Sequence, residues 1–218
     1  MIILRNETVS NRRIDLRVPD EAAHIIVDST LHDCEVLIPG GNRAFRLITS
    51  TFERCTFRTR KLTNFKWVSN AFRSCAFEGK FSNNDFGSLD LPHLTGSAPL
   101  PRGMTDCDFA RALMHQCRFF DSDEEIVDHT FAPFPTIVVM HPVQNEARLR
   151  QLLAVANDSA RNYFLEMASK VTALVLDLEV VSEKSGVELE VLRAALGAAP
   201  EIVLCADGQG KLSRPVPG

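Results

Sequence analysis

Large apolar residues recur every five positions through the first half of the chain. Six steps of five from Leu47 reach only large apolar residues: Phe52, Phe57, Leu62, Trp67, Phe72 and Phe77. The step then shortens by one at Phe81, and the pattern returns after a gap between Met104 and Phe119. A period of five fits neither a helix nor a flat strand, whose side chains repeat every 3.6 and 2 residues. It predicts a solenoid that turns a corner every five residues, with each coil burying its apolar side chains against its neighbours.

Five of the six cysteines occupy one position of this repeat, two residues before a large apolar residue. They are Cys34, Cys55, Cys75, Cys107 and Cys117. We expect them to be small buried side chains in a structural ladder with Phe52, Phe57, Trp67, Phe72 and Phe77. No two of them have the close spacing of paired zinc ligands, so no metal site is predicted. A disulfide between stacked cysteines stays open for an oxidising compartment.

The composite unit resembles the repeat of the pentapeptide-repeat family over residues 24–120. The segments FERCTF, FRSCAF, MTDCDF and MHQCRF carry the resemblance, whereas Phe45, Arg60 and Phe65 depart from it in the small-residue position. The resemblance implies a right-handed quadrilateral β-helix, here of about four coils. The one-residue shift after Phe77 suggests a bulge or a corner insertion.

We therefore expect a mainly β solenoid at residues 1–125 and a small α-helical, winged-helix-like domain at 126–218. Residues 87–103 contain three prolines and three glycines and break the register, so they form either a plain surface loop or a projecting recognition element. Within 126–218, helices are predicted from about 144 to 156 and along an apolar stripe from 164 to 181. The stripe comprises Phe164, Met167, Val171, Leu174, Leu178 and Val181. It packs either within a helical cluster or as the seam of a homodimer.

The end of the chain has the order helix, turn, helix and β-ribbon. A helix ending at 185–186 precedes a second at 188–199, a strand at 201–205, a turn at Asp207-Gly208 and a return strand at 211–213. This order is similar to a winged-helix module. The second helix has Glu188 and Glu190 against one Arg193, so a structural or protein-binding role is favoured over DNA recognition.

Charge is divided sharply along the chain. Residues 43–80 hold nine Lys or Arg against two acids, a net charge of +7, whereas 106–128 hold seven acids against two arginines, a net charge of −5. The repeat directs most of the basic side chains outward. The predicted partner-binding residues are Arg54, Arg58, Lys61, Lys66, Arg73 and His93. They suit a protein partner with an acidic surface, although a solvated face or a nucleic-acid backbone would explain the same charges.

Signatures of catalysis are missing from the sequence. The six histidines are dispersed, and His93 and His115 are expected at the surface. No phosphate-binding loop, nucleophile elbow or dinucleotide-binding motif is present. We predict no catalytic residue, no cofactor and no enzyme activity. The N-terminus has no signal-peptide core and no segment could span a membrane, so a cytoplasmic location is expected.

These features favour a non-enzymatic protein-binding module. Our leading hypothesis is an immunity or protection protein that neutralises a toxin or enzyme by occlusion, since the resembled family frequently protects cells in this way. The resemblance also implies DNA mimicry toward a type II topoisomerase, which the basic coils oppose. Nucleic-acid binding by coils 43–80 is the third hypothesis, weakened because the aromatic residues are phased inward.

Overall fold

The chain forms a β-solenoid of about five turns, which confirms the predicted solenoid class. The computed structural model describes residues 1–17, 23–41, 44–88, 102–165 and 171–213. The solenoid strands are β1 (Ile3–Arg5), β2 (Thr8–Ser10), β3 (Arg13–Asp15), β4 (His24–Val27), β5 (Thr30–His32), β6 (Glu35–Ile38), β7 (Phe45–Ile48), β8 (Thr51–Glu53), β9 (Thr56–Thr59), β10 (Leu62–Thr63), β11 (Ala71–Arg73), β12 (Ala76–Ser82), β13 (Asp85–Phe86), β14 (Gly103–Thr105), β15 (Asp108–Phe109), β16 (Ala112–His115), β17 (Cys117–Phe119) and β18 (Thr130–Phe131).

Parallel sheets run along the solenoid, and each strand pairs with the strands one turn before and after it. Their orders are β1-β4-β7, β2-β5-β8-β11-β14 and β3-β6-β9-β12-β15-β18, while β10 and β16 pair with the second half of β12. The register places Leu31 beside Phe52 and Phe52 beside Phe72. Residues about 20 positions apart therefore share one side of the coil.

The repeat begins one turn before residue 24, where the resemblance to the pentapeptide-repeat unit begins, and this turn lies within the expected solenoid range of 1–125. Strands β1, β2 and β3 pair with β4, β5 and β6, and their centres are Leu4, Val9 and Ile14. These three residues also follow the step of five, but they are smaller than the aromatic residues that reveal the repeat downstream. About five turns therefore replace the predicted four.

Aromatic rings from successive turns stack to form the centre of the solenoid. Phe57 lies 5.1 Å from Phe77, which lies 4.8 Å from Phe109, and both pairs are nearly parallel. Phe52 stacks on Phe72 at 5.1 Å between ring centroids. All of these rings, with that of Trp67, are fully buried. Offset stacking adds about 0.5–1.5 kcal/mol per pair to the free energy gained by burial.

The cysteine position lies at a corner of the coil, where the thiol meets carbonyl oxygens. Cys55 Sγ donates to the carbonyls of Glu53 and of Leu31 in the preceding turn, both at 3.4 Å. Cys75 repeats this arrangement with Arg73 and Phe52. Cys34, Cys107 and Cys117 are also buried and make the same pair of contacts. Ser50 and Asn70, two residues before Phe52 and Phe72, also donate to backbone carbonyls, so this corner accommodates a small side chain that carries a donor.

The shift after Phe77 is a shortened corner and not the suggested bulge or insertion. Strand β12 passes from one side of the coil to the next without a break, and Gly79 at the corner has φ +117°. A Cβ at this position would lie 1.8 Å from the carbonyl oxygen of Thr59. Only glycine accommodates both constraints, so the corner needs one residue fewer.

Beyond the solenoid, strands and helices alternate. The elements are α1 (Asp123–Asp128), β19 (Thr136–Met140), α2 (Glu146–Leu152) with a 3-10 turn (Leu153–Val155), α3 (Asp158–Leu165), β20 (Ala173–Asp177), α4 (Leu178–Ser185), α5 (Leu189–Gly197), β21 (Val203–Ala206) and β22 (Leu212–Ser213). Strands β17, β20, β19, β21 and β22 form an antiparallel sheet that continues the solenoid through β17. This region is a sheet packed with helices, whereas the sequence predicts a small α-helical domain.

The apolar stripe at 164–181 is not one helix. Its centre is strand β20, whose residues from Ala173 to Leu176 are all buried between two sheet neighbours. A fully buried strand is apolar on both faces, so its periodicity cannot be told from that of a helix. Phe164, Leu174 and Val181 are buried in the core of one chain, while Met167 lies outside the described residues. Among the helices of the described ranges, none is long and apolar enough to cross a membrane.

Candidate interaction surface

Outward side chains of successive turns form rows, because paired strands lie about 4.8 Å apart. One row alternates in charge through Arg13, Glu35, Arg58, Glu78 and Arg111. The Arg13–Glu35 distance is 3.2 Å, Arg58–Glu78 is 2.7 Å and Arg111–Glu78 is 3.2 Å, and Arg58 also pairs with Glu35. Each carboxylate thus lies between two guanidinium groups. We call this row the charge ladder.

A second set of ion pairs runs along the neighbouring side. Glu53 pairs with Arg73 at 3.0 Å and with His32 at 3.1 Å, and Arg54 forms two hydrogen bonds of 2.8 Å with Asp33. Hydrogen bonds from Arg73 and Arg54 lower the pKa values of Glu53 and Asp33 respectively. Exposed pairs of this kind stabilise a protein by about 0.2–1 kcal/mol each.

Three of the five cations predicted to bind a partner are therefore engaged with acids of neighbouring turns. Arg54, Arg58 and Arg73 pair with Asp33, Glu35, Glu53 and Glu78. The sequence could have indicated this pairing, because the acids lie 20 to 23 residues from their arginines, which is one turn of the coil. The net charge of +7 in 43–80 is consequently divided between paired and unpaired residues.

Three cations without ion pairs to other described residues lie on the side formed by β10, β12 and β16. The register of Leu62 with Phe81 places Lys61 beside Lys80, and Arg60 precedes Lys61. All three side chains are exposed, and none forms an ion pair or side-chain hydrogen bond with any residue that the structure describes. We call these three residues the basic row. It continues into Leu113, which pairs in register with Lys80 and is 51% exposed.

Neighbouring charges of the basic row repel each other, whereas those of the other charged rows attract each other. Like charges directly opposite each other on neighbouring strands destabilise a sheet, whereas opposite charges stabilise it. The charge ladder uses the stabilising arrangement on the adjacent side of the same turns. The row of Arg60, Lys61 and Lys80 thus presents an uncompensated positive field beside an exposed apolar side chain.

The other predicted binding residues lie elsewhere. Lys66 is exposed and is bridged through its backbone to Asp85, whose carboxylate pairs with Arg118 at 2.6 Å. His93 and most of the 87–103 excursion lie outside the described residues, as does Arg43. Only Lys61 and Lys66 of the predicted set are free of ion pairs within the described chain.

Asp121, one of the seven acids in the stretch 106–128, is a buried carboxylate. It is 3% exposed, and its Oδ1 accepts a hydrogen bond of 3.3 Å from the Met104 backbone N–H. Its Oδ2 has no hydrogen-bond partner in the described structure. Gly87 and Gly103, at the two ends of the excursion, make room for it, since a Cβ on Gly87 would lie 2.3 Å from Oδ2. Burial, followed by the nearby Glu125 charge, raises the pKa of Asp121 to about 7.

Two histidines are also buried, and the expected surface position of His115 is wrong. His115 is 7% exposed and packs against the Tyr163 ring. His129 is fully buried, and its Nδ1 accepts a hydrogen bond from the Cys107 N–H at 3.2 Å. Burial lowers the pKa of both imidazoles to about 4. They are therefore neutral at neutral pH.

Two cysteines of the ladder, Cys107 and Cys117, are protonated side chains in the core. Burial raises the pKa of Cys107 and Cys117 to about 12, so their thiolates do not form at neutral pH. Within the described ranges, no three His, Cys, Asp or Glu side chains are grouped to hold a metal ion. Each thiol instead donates to carbonyls at its corner, which is a structural role.

Comparisons of the chain with protein-family models, curated proteins and solved structures give no significant match.

Proposed function

We propose that this chain is a non-catalytic binding module that docks an acidic protein surface on its basic row. The observation that carries the proposal is the adjacency of Lys61 and Lys80, two exposed like charges left unpaired on a coil whose other charged rows are compensated. A partner carboxylate between the two ammonium groups would complete the alternation that the charge ladder already has.

The solenoid supports this role because it holds the basic row rigidly. Lys61 and Lys80 flank Leu62 and Phe81, which are fully buried. A fixed array of charges speeds association with an oppositely charged partner and sets its orientation. Leu113 provides an apolar contact beside the charges, where water would be excluded on docking.

Occlusion is the mechanism that follows for such a surface. The module would cover an acidic patch of a toxin or an enzyme and block its access, as an immunity or protection protein does in a cytoplasmic setting. A right-handed, four-sided coil of the pentapeptide-repeat type belongs to the same proposal. It is supported by the step of five and by pairing at intervals of about 20 residues.

The alternative functions have less support from the geometry. DNA mimicry toward a topoisomerase would need a continuous acidic rod, whereas the described coils carry compensated ladders and one basic row. Binding of nucleic acid by coils 43–80 would use phosphate contacts alone, because Phe52, Phe57, Trp67, Phe72 and Phe77 are fully buried and offer no stacking surface.

The experiment is an affinity capture from a lysate of the source organism at low and high salt, followed by kinetics with the captured protein. The Lys61→Gln/Lys80→Gln variant should slow association and flatten its salt dependence. A Lys184→Gln/Lys211→Gln variant has the same net charge and serves as the control. Equal kinetics for the two variants would overturn the proposal. Capture of topoisomerase subunits, or of nuclease-sensitive material alone, would instead favour one of the alternatives.

A further inference from the structure

Three parallel sheets end together at the N-terminal side of the solenoid. Strand β1 is the last strand of its sheet, β2 of the second and β3 of the third. Among the described residues, each pairs on one side only, with β4, β5 and β6 respectively. We call these three strands the N-terminal edge. Such edges expose unpaired backbone N–H and C=O groups that favour the addition of another strand.

The hydrogen bonds of β3 show which backbone groups are unpaired. Glu35 N–H donates to the Arg12 carbonyl, and Leu16 N–H donates to the Leu37 carbonyl, each at 2.9 Å. Residues of even number in β3 therefore face β6. The N–H and C=O groups of Arg13 and Asp15 point the other way, toward the open edge, because alternate residues of a strand bond to opposite sides.

We propose that a second copy of this chain docks on the N-terminal edge, with the two β3 strands antiparallel about Ile14. In that register, Arg13 of each copy lies opposite Asp15 of the other. All four outward-facing residues then form hydrogen-bonded pairs. The sequence Arg-Ile-Asp is self-complementary, because each basic side chain meets an acidic one across the two-fold axis. Within one chain, Arg13 pairs with Glu35 at 3.2 Å and Asp15 with Arg17 at 2.7 Å, so the contacts across the axis would add to these pairs. Side-chain exposures of 64% for Arg13 and 35% for Asp15 leave room for a second partner.

Strand β1 fits the same arrangement. The Ile25 N–H donates to the Ile2 carbonyl, so the groups of Ile3 and Arg5 face the open edge as those of Arg13 and Asp15 do. In the four-sided coil proposed above, β1 and β3 lie on opposite sides, so one two-fold axis passes through the middle of both. Leu4 and Ile14 would then meet their own copies, and the apolar column of the solenoid would continue from one chain into the other.

The opposite end of the solenoid is covered by the chain itself. Ile126 of α1 and Phe131 of β18 are buried against the last turn, and β17 continues into the antiparallel sheet. The N-terminal edge is thus the end that a second copy can extend. The β3 contact is independent of the proposed binding role, since the basic row lies on the turns between β9 and β16, whereas the contact of β1 rests on the four-sided coil proposed above.

Self-association is tested first by molar mass, measured by light scattering on a size-exclusion column over a range of concentrations. The wild type should have twice the mass of one chain. Asp15→Arg should give a monomer, because arginines would face each other across the axis. The exchange Arg13→Asp/Asp15→Arg should restore the dimer. A monomeric wild type, or a dimer that Asp15→Arg leaves intact, would overturn the proposal.

The register is tested by disulfide formation between two variants that each add one cysteine to the chain, with the partly buried Cys205 replaced by serine. Arg13→Cys and Asp15→Cys chains are mixed and oxidised, and non-reducing electrophoresis detects covalent dimers. Opposite residues of a hydrogen-bonded pair are about 5.5 Å apart, within disulfide range. The two copies of residue 13 are diagonal neighbours, roughly 8 Å apart. Covalent dimers should therefore form in the mixture and not in either variant alone. Equal yields in all three samples would refute the register, and circular dichroism checks that each variant is folded.

Discussion

The buried carboxylate of Asp121 should make the stability of this protein depend on pH near neutrality. Its pKa is raised from 3.8 to about 7, so the folded state holds a proton that the unfolded state releases. Stability from this group is therefore fully present below about pH 4 and is lost as the pH rises toward 7. The substitution Asp121→Asn removes the titration and keeps the shape of the side chain.

The expected difference in stability between the two proteins follows from the pKa shift of Asp121. About three pKa units correspond to roughly 4 kcal/mol, at 1.36 kcal/mol per unit. The asparagine leaves one buried amide nitrogen without a partner where Oδ2 now lies, at a cost of about 1–3 kcal/mol at every pH. The variant should thus be more stable than the wild type at pH 8 by about 1–3 kcal/mol, and less stable at pH 4 by about 1–3 kcal/mol.

The assay is urea unfolding of both proteins from pH 4 to pH 8. Trp67 is the only tryptophan and is fully buried in the solenoid, so its fluorescence follows the unit that Asp121 supports. His115 and His129, whose pKa values are lowered to about 4, destabilise both proteins alike as the pH falls from 6.5. Their contribution cancels in the difference between variant and wild type.

The result that refutes this reasoning is a constant difference between the two proteins across the pH range. It would mean that Asp121 is ionised in the folded state at all these pH values, with a partner for its charge. Asp123→Asn, which removes an exposed carboxylate of the same segment, is the charge-matched control.

Two substitutions test the assigned register of the coil. Phe57→Asp places a charge among stacked rings and should abolish the cooperative thermal transition seen by circular dichroism, whereas Phe57→Leu should retain it. A wild-type melting temperature for Phe57→Asp would contradict the inward position of this residue. Gly79→Ala should lower the free energy of unfolding by at least about 2 kcal/mol, because the corner has a positive φ and no room for a Cβ. Gly208→Ala, where a Cβ meets nothing within 4 Å, should change it by less than about 0.5 kcal/mol. Equal urea midpoints for the two alanine variants would refute the role given to Gly79.

The sequence predicts the solenoid well because each turn buries large apolar side chains at equivalent positions. Phe52, Phe57 and Phe72 fill one interior, and a period of five has no other simple explanation. The count of four coils is one too few because Leu4, Val9 and Ile14 continue the step of five with smaller side chains than the aromatic residues downstream. Strand β20 was predicted as helix because a strand buried on both faces has no alternating pattern.

The candidate site was harder to predict, because the net charge of a sequence segment does not show which of its side chains pair with charges elsewhere in the folded chain. The stretch 43–80 is basic in sequence, yet Arg58 lies between Glu35 and Glu78, each a full turn away. Asp121 was hidden for a similar reason, since its burial depends on Gly87 and Gly103, which lie far from it in the chain.

In a coil of about 20 residues per turn, the electrostatic neighbour of residue i is residue i + 20 and not residue i + 1. Glu53 and Arg73 satisfy this rule with opposite charges, and Lys61 and Lys80 satisfy it with like charges. Compensation therefore has to be assessed along the axis of the solenoid, turn by turn. Assessed in this way, the two lysines are neighbours without a counter-charge in the described chain, and an acidic partner group placed between them would remove their repulsion and add two attractive contacts.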